Sequence, residues 1–288
     1  MMMRRLTRAL TGLAAVIALS ACGATPTPVP TLPPEPDGAP AVSVPRCDNA
    51  TQSYAPGPLL SATEWPADST MAKIQQRGRL IVGVSADSYL LGSRNPQTGV
   101  IEGFDIDMAD AVAQELFGPD ATAQLRVISA ADRIRVLTDH EVDLVVRNMT
   151  MTCDRWEEIA FSAEYYRSGQ KLMVRRGSDI TDLAGLAGHR VCAPRGTSTL
   201  TQIRELAPDA EAVPADTHTE CLVLFQQGQV DAVTGDDTVL AGLAAQDPYG
   251  VVLPGPAFTD EPYGIGMPAD QVDMVRFVNG VLEQMATD

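Results

Sequence analysis

The chain has 288 residues, with 21 Lys+Arg against 37 Asp+Glu for a net charge of −16, and 45% hydrophobic residues. So acidic a surface excludes nucleic acid and anionic lipid headgroups as main partners, and any anionic ligand must be held by a local cluster of cations. The length allows a globular body of two modest lobes once the N-terminal segments are set aside.

In chain order, Arg4, Arg5 and Arg8 precede the apolar run Leu10–Leu19, which is too short to span a bilayer and reads as a secretory signal. The run closes on Leu19-Ser20-Ala21-Cys22, similar to a lipobox. Residues 1–21 are therefore expected to be removed, leaving Cys22 lipidated and, with three arginines lost and no acid, a net charge of −19. Residues 23–45 are Pro, Thr, Ala and Val with little charge, a composition that buries too little surface to fold. Residues 22–65 are read as a lipid-anchored Pro-rich stalk and N-terminal extension, which tethers the protein to the extracellular face of the cell membrane without spanning it. Beyond Cys22 stand Cys47, Cys153, Cys192 and Cys221, an even number with three possible connectivities. The expected pairs are Cys192 with Cys221, stapling a strand to a helix, and Cys47 with Cys153, pinning the extension to the body. No cysteine or histidine spacing suggests a metal, and no cofactor is expected.

From Pro66 onward, strand-like and helix-like segments alternate, as in α/β proteins. Leu80–Val84 and Ile101–Phe104 read as strands, and Ile106, Ala109, Val112, Ala113 and Leu116 share one face of a helix capped by Asp105 and stopped at Gly118-Pro119. A faint repeat relates Val136–Val146 to Leu224–Thr234. Registering Asp143 on Asp231 sets Arg147-Asn148 opposite Gly235-Asp236, just past the carboxyl ends of equivalent strands, where open α/β sheets bind ligands. His140, His189 and His218 fall in turns or before strands and are expected to be solvated. Phosphate-binding, dinucleotide and nucleophile-elbow motifs are missing from the chain.

Gly103-Phe104-Asp105-Ile106-Asp107-Met108 with Val112-Ala113 and Leu116 resembles the signature of the family 3 extracellular solute-binding proteins, the polar amino-acid receptors of ABC importers. Val142 to Val146, Thr150, Thr152, Arg155, Phe161-Ser162 and Tyr165-Tyr166 resemble the next family block. Leu186–Val191 with Gly196-Thr197-Ser198, and Gly228–Asp236, extend the likeness over nearly all of Arg79 to Asp288. The resemblance implies an α/β, two-lobed, periplasmic-binding-protein-like (type II) fold with two crossover strands, closing on its ligand. Lobe 1 would comprise residues 66–168 and 260–288, and lobe 2 residues 169–259. The last helix stops at Asp288 without the family's aromatic finish, so a truncated chain is expected.

The resemblance also implies a site. Arg155 falls where the family arginine grips the ligand α-carboxylate, and Asp236 where an acid meets the ammonium, with Asp237 as the competing candidate. Thr150 matches a ligand-binding hydroxyl of lobe 1, and Thr197 and Ser198 match donors at a strand-to-helix turn of lobe 2. Tyr89 lies near the aromatic that covers the ligand, though its spacing from Gly83 is one residue long, so Asp87 or Ser88 could stand in its place. Arg147, beside Asn148, occupies a position commonly small in the family. A second cation there favours an acidic amino acid, glutamate or aspartate before glutamine or asparagine, unless Arg147 pairs with Glu102 or Asp105; Arg195 and Lys171 could add to the field. No enzyme activity is expected. A prephenate or arogenate dehydratase on this fold would need a second cleft acid, and a sensor subunit for a membrane receptor is the alternative to an ABC permease partner.

Overall fold

The computed structural model describes residues 50–60 and 64–287; Cys22, Cys47 and the rest of 1–49 lie outside the described residues. Helix α1 (Thr70–Arg77) begins at Ser69, whose hydroxyl accepts from Ala72 N, and ends at Gly78, where φ is 75°. Strand β1 (Ile81–Val84) is apolar and carries the buried Val82 and Val84. Three short strands, β2 (Asp87–Ser88), β3 (Gly92–Arg94) and β4 (Ile101–Glu102), form a separate antiparallel sheet, so the expected strand at Ile101–Phe104 is two residues long and lies off the main sheet. Helix α2 (Phe104–Phe117) starts at Gly103, not at the expected cap Asp105. A Cβ at Gly103 would come 2.6 Å from Leu91 O, and its φ of 129° suits glycine. Asp105, one residue inside the helix, is instead fully buried and accepts from Asn148 N and Tyr165 Oη.

The first lobe continues with β5 (Gln124–Val127), α3 (Arg133–Thr138), β6 (Leu144–Val145), α4 (Cys153–Glu158) and β7 (Ile159–Phe161). Strand β8 (Tyr166–Arg175) crosses to the second lobe. There follow β9 (Arg190–Pro194), α5 (Ser198–Leu206), β10 (Glu211–Ala215), α6 (His218–Gln226), β11 (Ala232–Asp236), α7 (Asp237–Gln246) and β12 (Gly250–Val252). Strand β13 (Asp260–Tyr263) returns beside β8, and β14 (Gly266–Pro268) and α8 (Val272–Met285) complete lobe 1. The main sheets run β5-β1-β6-β14-β7 and β10-β9-β11-β8-β12. Each places its first parallel strand between the second and third, the doubly wound arrangement whose crevice lies at the carboxyl ends of those strands. This is the two-lobed type II fold with two crossover strands.

The repeat is real at atomic level. Asp143 Oδ2 accepts from Ile81 N, and Asp143 N donates to Ile81 O; Asp231 Oδ2 accepts from Arg190 N, and Asp231 N donates to Arg190 O. An arginine pairs with each acid, Arg77 with Asp143 and Arg190 with Asp231. The same aspartate thus fixes the start of the first strand in each lobe, through charge-assisted bonds worth about 1.5–3 kcal/mol each.

Cys192 on β9 and Cys221 on α6 are joined by a disulfide. Cys153 is also disulfide-bonded, while its expected partner Cys47 lies outside the described residues. Residues 50–60 lie along lobe 1. Trp156 Nε1 donates to Ala50 O, Ser53 Oγ to Phe161 O, Asn279 Nδ2 to Tyr54 O, and Gly57 N to Arg276 O. Trp65 then packs edge-on against Phe277.

Candidate functional site

A cleft of about 690 Å³ opens between the lobes, walled by Thr152 and Arg155 on one side and by Gly196, Thr197 and Ser198 on the other. Both walls are helix starts. Thr152 caps α4 by accepting from Arg155 N, and Thr197 caps α5 by accepting from Leu200 N. The chain approaches so closely that a Cβ on Gly196, already at φ 72°, would lie 2.6 Å from Ala131 Cα of lobe 1.

Of three arginines in this region, Arg155 lines the cleft, while Arg133 and Arg147 are buried. Arg155 donates to Thr150 O and, across the cleft, to Gly196 O. Arg133, 3% exposed, donates to Ala130 O, Arg147 O, Asn148 O and the same Gly196 O. Among the described residues, neither has a carboxylate within ion-pairing distance. Burial, and then repulsion from Arg155 and Arg147, lower Arg133 well below the usual guanidinium range; burial lowers Arg155 against the pull of Glu261 and Asp236. Arg147 is different. Its Nε donates to Ile128 O and its Nη2 stands 3.7 Å from Asp87 Oδ1, so its acid partner is Asp87 and not the expected Glu102 or Asp105. Burial works to raise the Asp87 carboxyl, but Arg147, Ser85 and His218 together hold it below its usual value.

The acids form the opposite pole. Asp236 ends β11 and precedes α7, yet its side chain caps nothing. Tyr263 Oη donates to it at 2.5 Å, and burial, followed by the nearby Glu261, pushes its carboxyl up to about 7 against the pull of Tyr263, Arg133 and Asn148. The competing Asp237 is committed elsewhere, accepting from Ser168 Oγ and Thr238 N. Glu261, fully buried on β13, accepts from Thr150 Oγ1, Ser198 Oγ and Thr259 Oγ1.

The structure therefore brings together Arg155, Asp236, Thr150, Ser198, Asn148 and Arg147. Thr197 stands at the wall, but its hydroxyl donates to Pro194 O and caps α5, leaving the helix start as its offering. Tyr89 does not join them: it is 45% exposed on the β2–β3 turn, against Gly242 of α7, while Asp87 stands beside Arg147. Arg195 pairs with the exposed Asp216, and Lys171 lines a separate apolar hollow with Leu253 and Phe258.

Three groups of the candidate site escaped the sequence reading. Arg133, Val136 and Leu137 are all buried on α3, so the arginine lies on the apolar face of its helix. His218 is a correction: far from solvated, it is 3% exposed and shares the buried face of α6 with Cys221, Leu222 and Phe225. Its Nε2 has no hydrogen-bond partner; a Cβ on Gly235 would come 3.1 Å from it, and burial, with Arg147 and Arg133 outweighing Asp87, lowers the ring to about 4. Glu261 lies two residues from Tyr263, and so on the same face of β13, in a strand buried from Glu261 through Tyr263. Asn148, at φ 34°, presents a second buried atom without a partner, Oδ1.

The family model of bacterial extracellular solute-binding proteins, family 3, matches residues 80–288. The ABC transporter glutamine-binding protein GlnH of Bacillus subtilis (strain 168) is 36% identical over 220 residues, 76% of this chain and 80% of that protein. The glutamate-binding protein GluB of Corynebacterium efficiens is 30% identical over 232 residues, 77% of this chain and 78% of that one. Among solved structures, holo ArgBP from T. maritima superposes with a TM-score of 0.70 at 28% identity, covering 75% of this chain and 93% of that one.

Proposed function

The chain belongs to the bacterial extracellular solute-binding proteins, family 3, and from that membership we propose that it is the lipid-anchored receptor of an ABC importer, taking glutamate or aspartate between its lobes. It is a solute-binding receptor and not an enzyme. The observation that carries the ligand assignment is a pair of guanidiniums, the buried Arg133 and the half-buried Arg155, with no carboxylate within ion-pairing distance among the described residues. Leaving such charges uncompensated is costly, and a dicarboxylic amino acid supplies two compensating groups. In this reading Arg155 takes the α-carboxylate, Asp236 the ammonium, and Arg133 with His218 Nε2 the side-chain carboxylate, with Arg147 adding to the field. Each charge-assisted bond of this kind contributes about 1.5–3 kcal/mol, enough to favour a carboxylate over an amide by roughly tenfold or more.

A specific observation favours glutamine as the second reading. Asn148 Oδ1 and His218 Nε2 are both buried without partners, and a side-chain amide both donates and accepts. Calorimetry against the twenty amino acids decides between them. Glutamate or aspartate binding at least tenfold tighter than glutamine supports the acidic assignment, and the reverse order removes it. The tether is tested on protein from the membrane fraction: a diacylglyceryl group on an N-terminal Cys22 peptide, lost with release of the protein in Cys22→Ser, is the expected result.

A further inference from the structure

Glu261 lies on the crossover strand that returns to lobe 1, and three hydroxyls converge on its carboxylate. Thr150 of lobe 1 and Ser198 of lobe 2 both donate to Oε2 at 2.7 Å, and Thr259 donates to Oε1 at 2.8 Å. A hydroxyl has one proton and two lone pairs. Thr150 Oγ1 and Ser198 Oγ stand 3.1 Å apart, farther than either stands from the carboxylate, so both protons go to the charged acceptor. Neither hydroxyl then has a proton left for a ligand carboxylate, but both keep lone pairs for an ammonium. Asp236 stands beside this cluster, since it accepts from Tyr263 Oη, and Tyr263 lies two residues from Glu261 on β13 and bridges to Thr150. An α-ammonium has three N–H donors, and Asp236, Thr150 and Ser198 offer three acceptors.

We propose that Glu261 is a positioning residue for the ligand's ammonium group: it turns the hydroxyls of Thr150 and Ser198 into acceptors and leaves the α-carboxylate to Arg155. The proposal rests on the amino-acid-receptor reading above. Because the two hydroxyls belong to different lobes, the three-acceptor seat exists only when the lobes are together. The ammonium is thereby read at closure, after first contact has been made.

The test is displacement calorimetry at pH 8 with L-glutamate and (2S)-2-hydroxyglutarate, which keeps both carboxylates and carries a hydroxyl in place of the ammonium. Glu261→Met and Ser198→Ala should each weaken glutamate binding roughly tenfold or more and the hydroxy acid far less, so that the ratio of the two Kd values narrows. Proportional loss of both ligands would mean that the hydroxyls serve the α-carboxylate, and would overturn the proposal. So would unchanged glutamate affinity, or a hydroxy acid undetected throughout. Ser198→Ala keeps the charge and carries the test alone if thermal unfolding shows that Glu261→Met does not fold. Should the wild type prefer another amino acid, that amino acid and its 2-hydroxy acid replace the pair: the wild-type measurement judges the receptor reading, and the ratio judges Glu261. A wild type that binds no amino acid overturns both.

Discussion

Lowering the pH from 8 to 6 should weaken amino-acid binding about tenfold, because Asp236, proposed above to meet the ammonium, must first give up a proton. Asp236 is pushed up to about 7 in the empty cleft, by burial first and Glu261 second. The bound ammonium lowers it, so binding releases a proton at any pH between the two values. With a free-state value near 7, the ionised fraction falls about tenfold from pH 8 to 6 and about a hundredfold by pH 5. His218, held to about 4, stays neutral through most of that window and does not contribute. In the empty protein the same shift acts on stability. The folded state binds the extra proton between pH 4 and 7, so stability falls as pH rises through that range and stays lower above it. Asp236→Asn should therefore stabilise the unliganded protein at pH 8, by on the order of 4 kcal/mol, while abolishing both tight binding and its pH dependence. The assay is calorimetry at pH 5, 6, 7 and 8 in buffers of different ionisation enthalpy, alongside thermal unfolding without ligand. A wild-type Kd that is flat from pH 5 to 8, or an Asp236→Asn protein that keeps the slope, would refute the reasoning.

Gly196→Ala should prop the lobes apart, since the added methyl carbon would meet Ala131 Cα at 2.6 Å and the backbone sits at φ 72°; we expect at least a hundredfold loss of affinity together with a lower unfolding temperature of the unliganded protein, both read in one thermal-shift titration. Arg133→Met should weaken glutamate and aspartate by roughly 10- to 100-fold and glutamine much less, and equal losses for all three in calorimetry would remove Arg133 from side-chain recognition. Reducing the Cys192–Cys221 bond, which closes a loop across 29 positions, should cost about 3–4 kcal/mol of lobe 2 stability, measured by denaturant unfolding of Cys192→Ala/Cys221→Ala.

Much of the site follows from order along the chain. Arg155 and Ser198 lie just inside helix starts announced by Thr152 and Thr197, and Asp236 follows from registering two Val-Asp turns whose aspartates do the same job in both lobes. Arg133 and His218 were legible in principle, each a polar residue on an otherwise apolar helix face. Such a residue is read as a boundary or a surface group until the face is laid out at 3.6 residues per turn. Glu261 and the Arg147–Asp87 pairing were not legible to the same degree. Glu261 matters because Thr150 and Ser198 reach it from positions 111 and 63 residues away, and Asp87 reaches Arg147 only because β2 and β3 fold back over the carboxyl end of β1. Tyr89, in the same turn, packs against Gly242 on the flank of α7, a contact that its place after β1 does not announce.

The docking of residues 50–60 along lobe 1 has a mechanical meaning. Among the described residues, the hydrogen bonds holding that segment go to Trp156, Phe161, Arg276 and Asn279, on α4, β7 and α8. A pull on the chain ahead of Ala50 is therefore borne by lobe 1 before it reaches either crossover strand. Under the proposed tether, that load would stay on lobe 1 and bypass β8 and β13, the two strands that join the lobes.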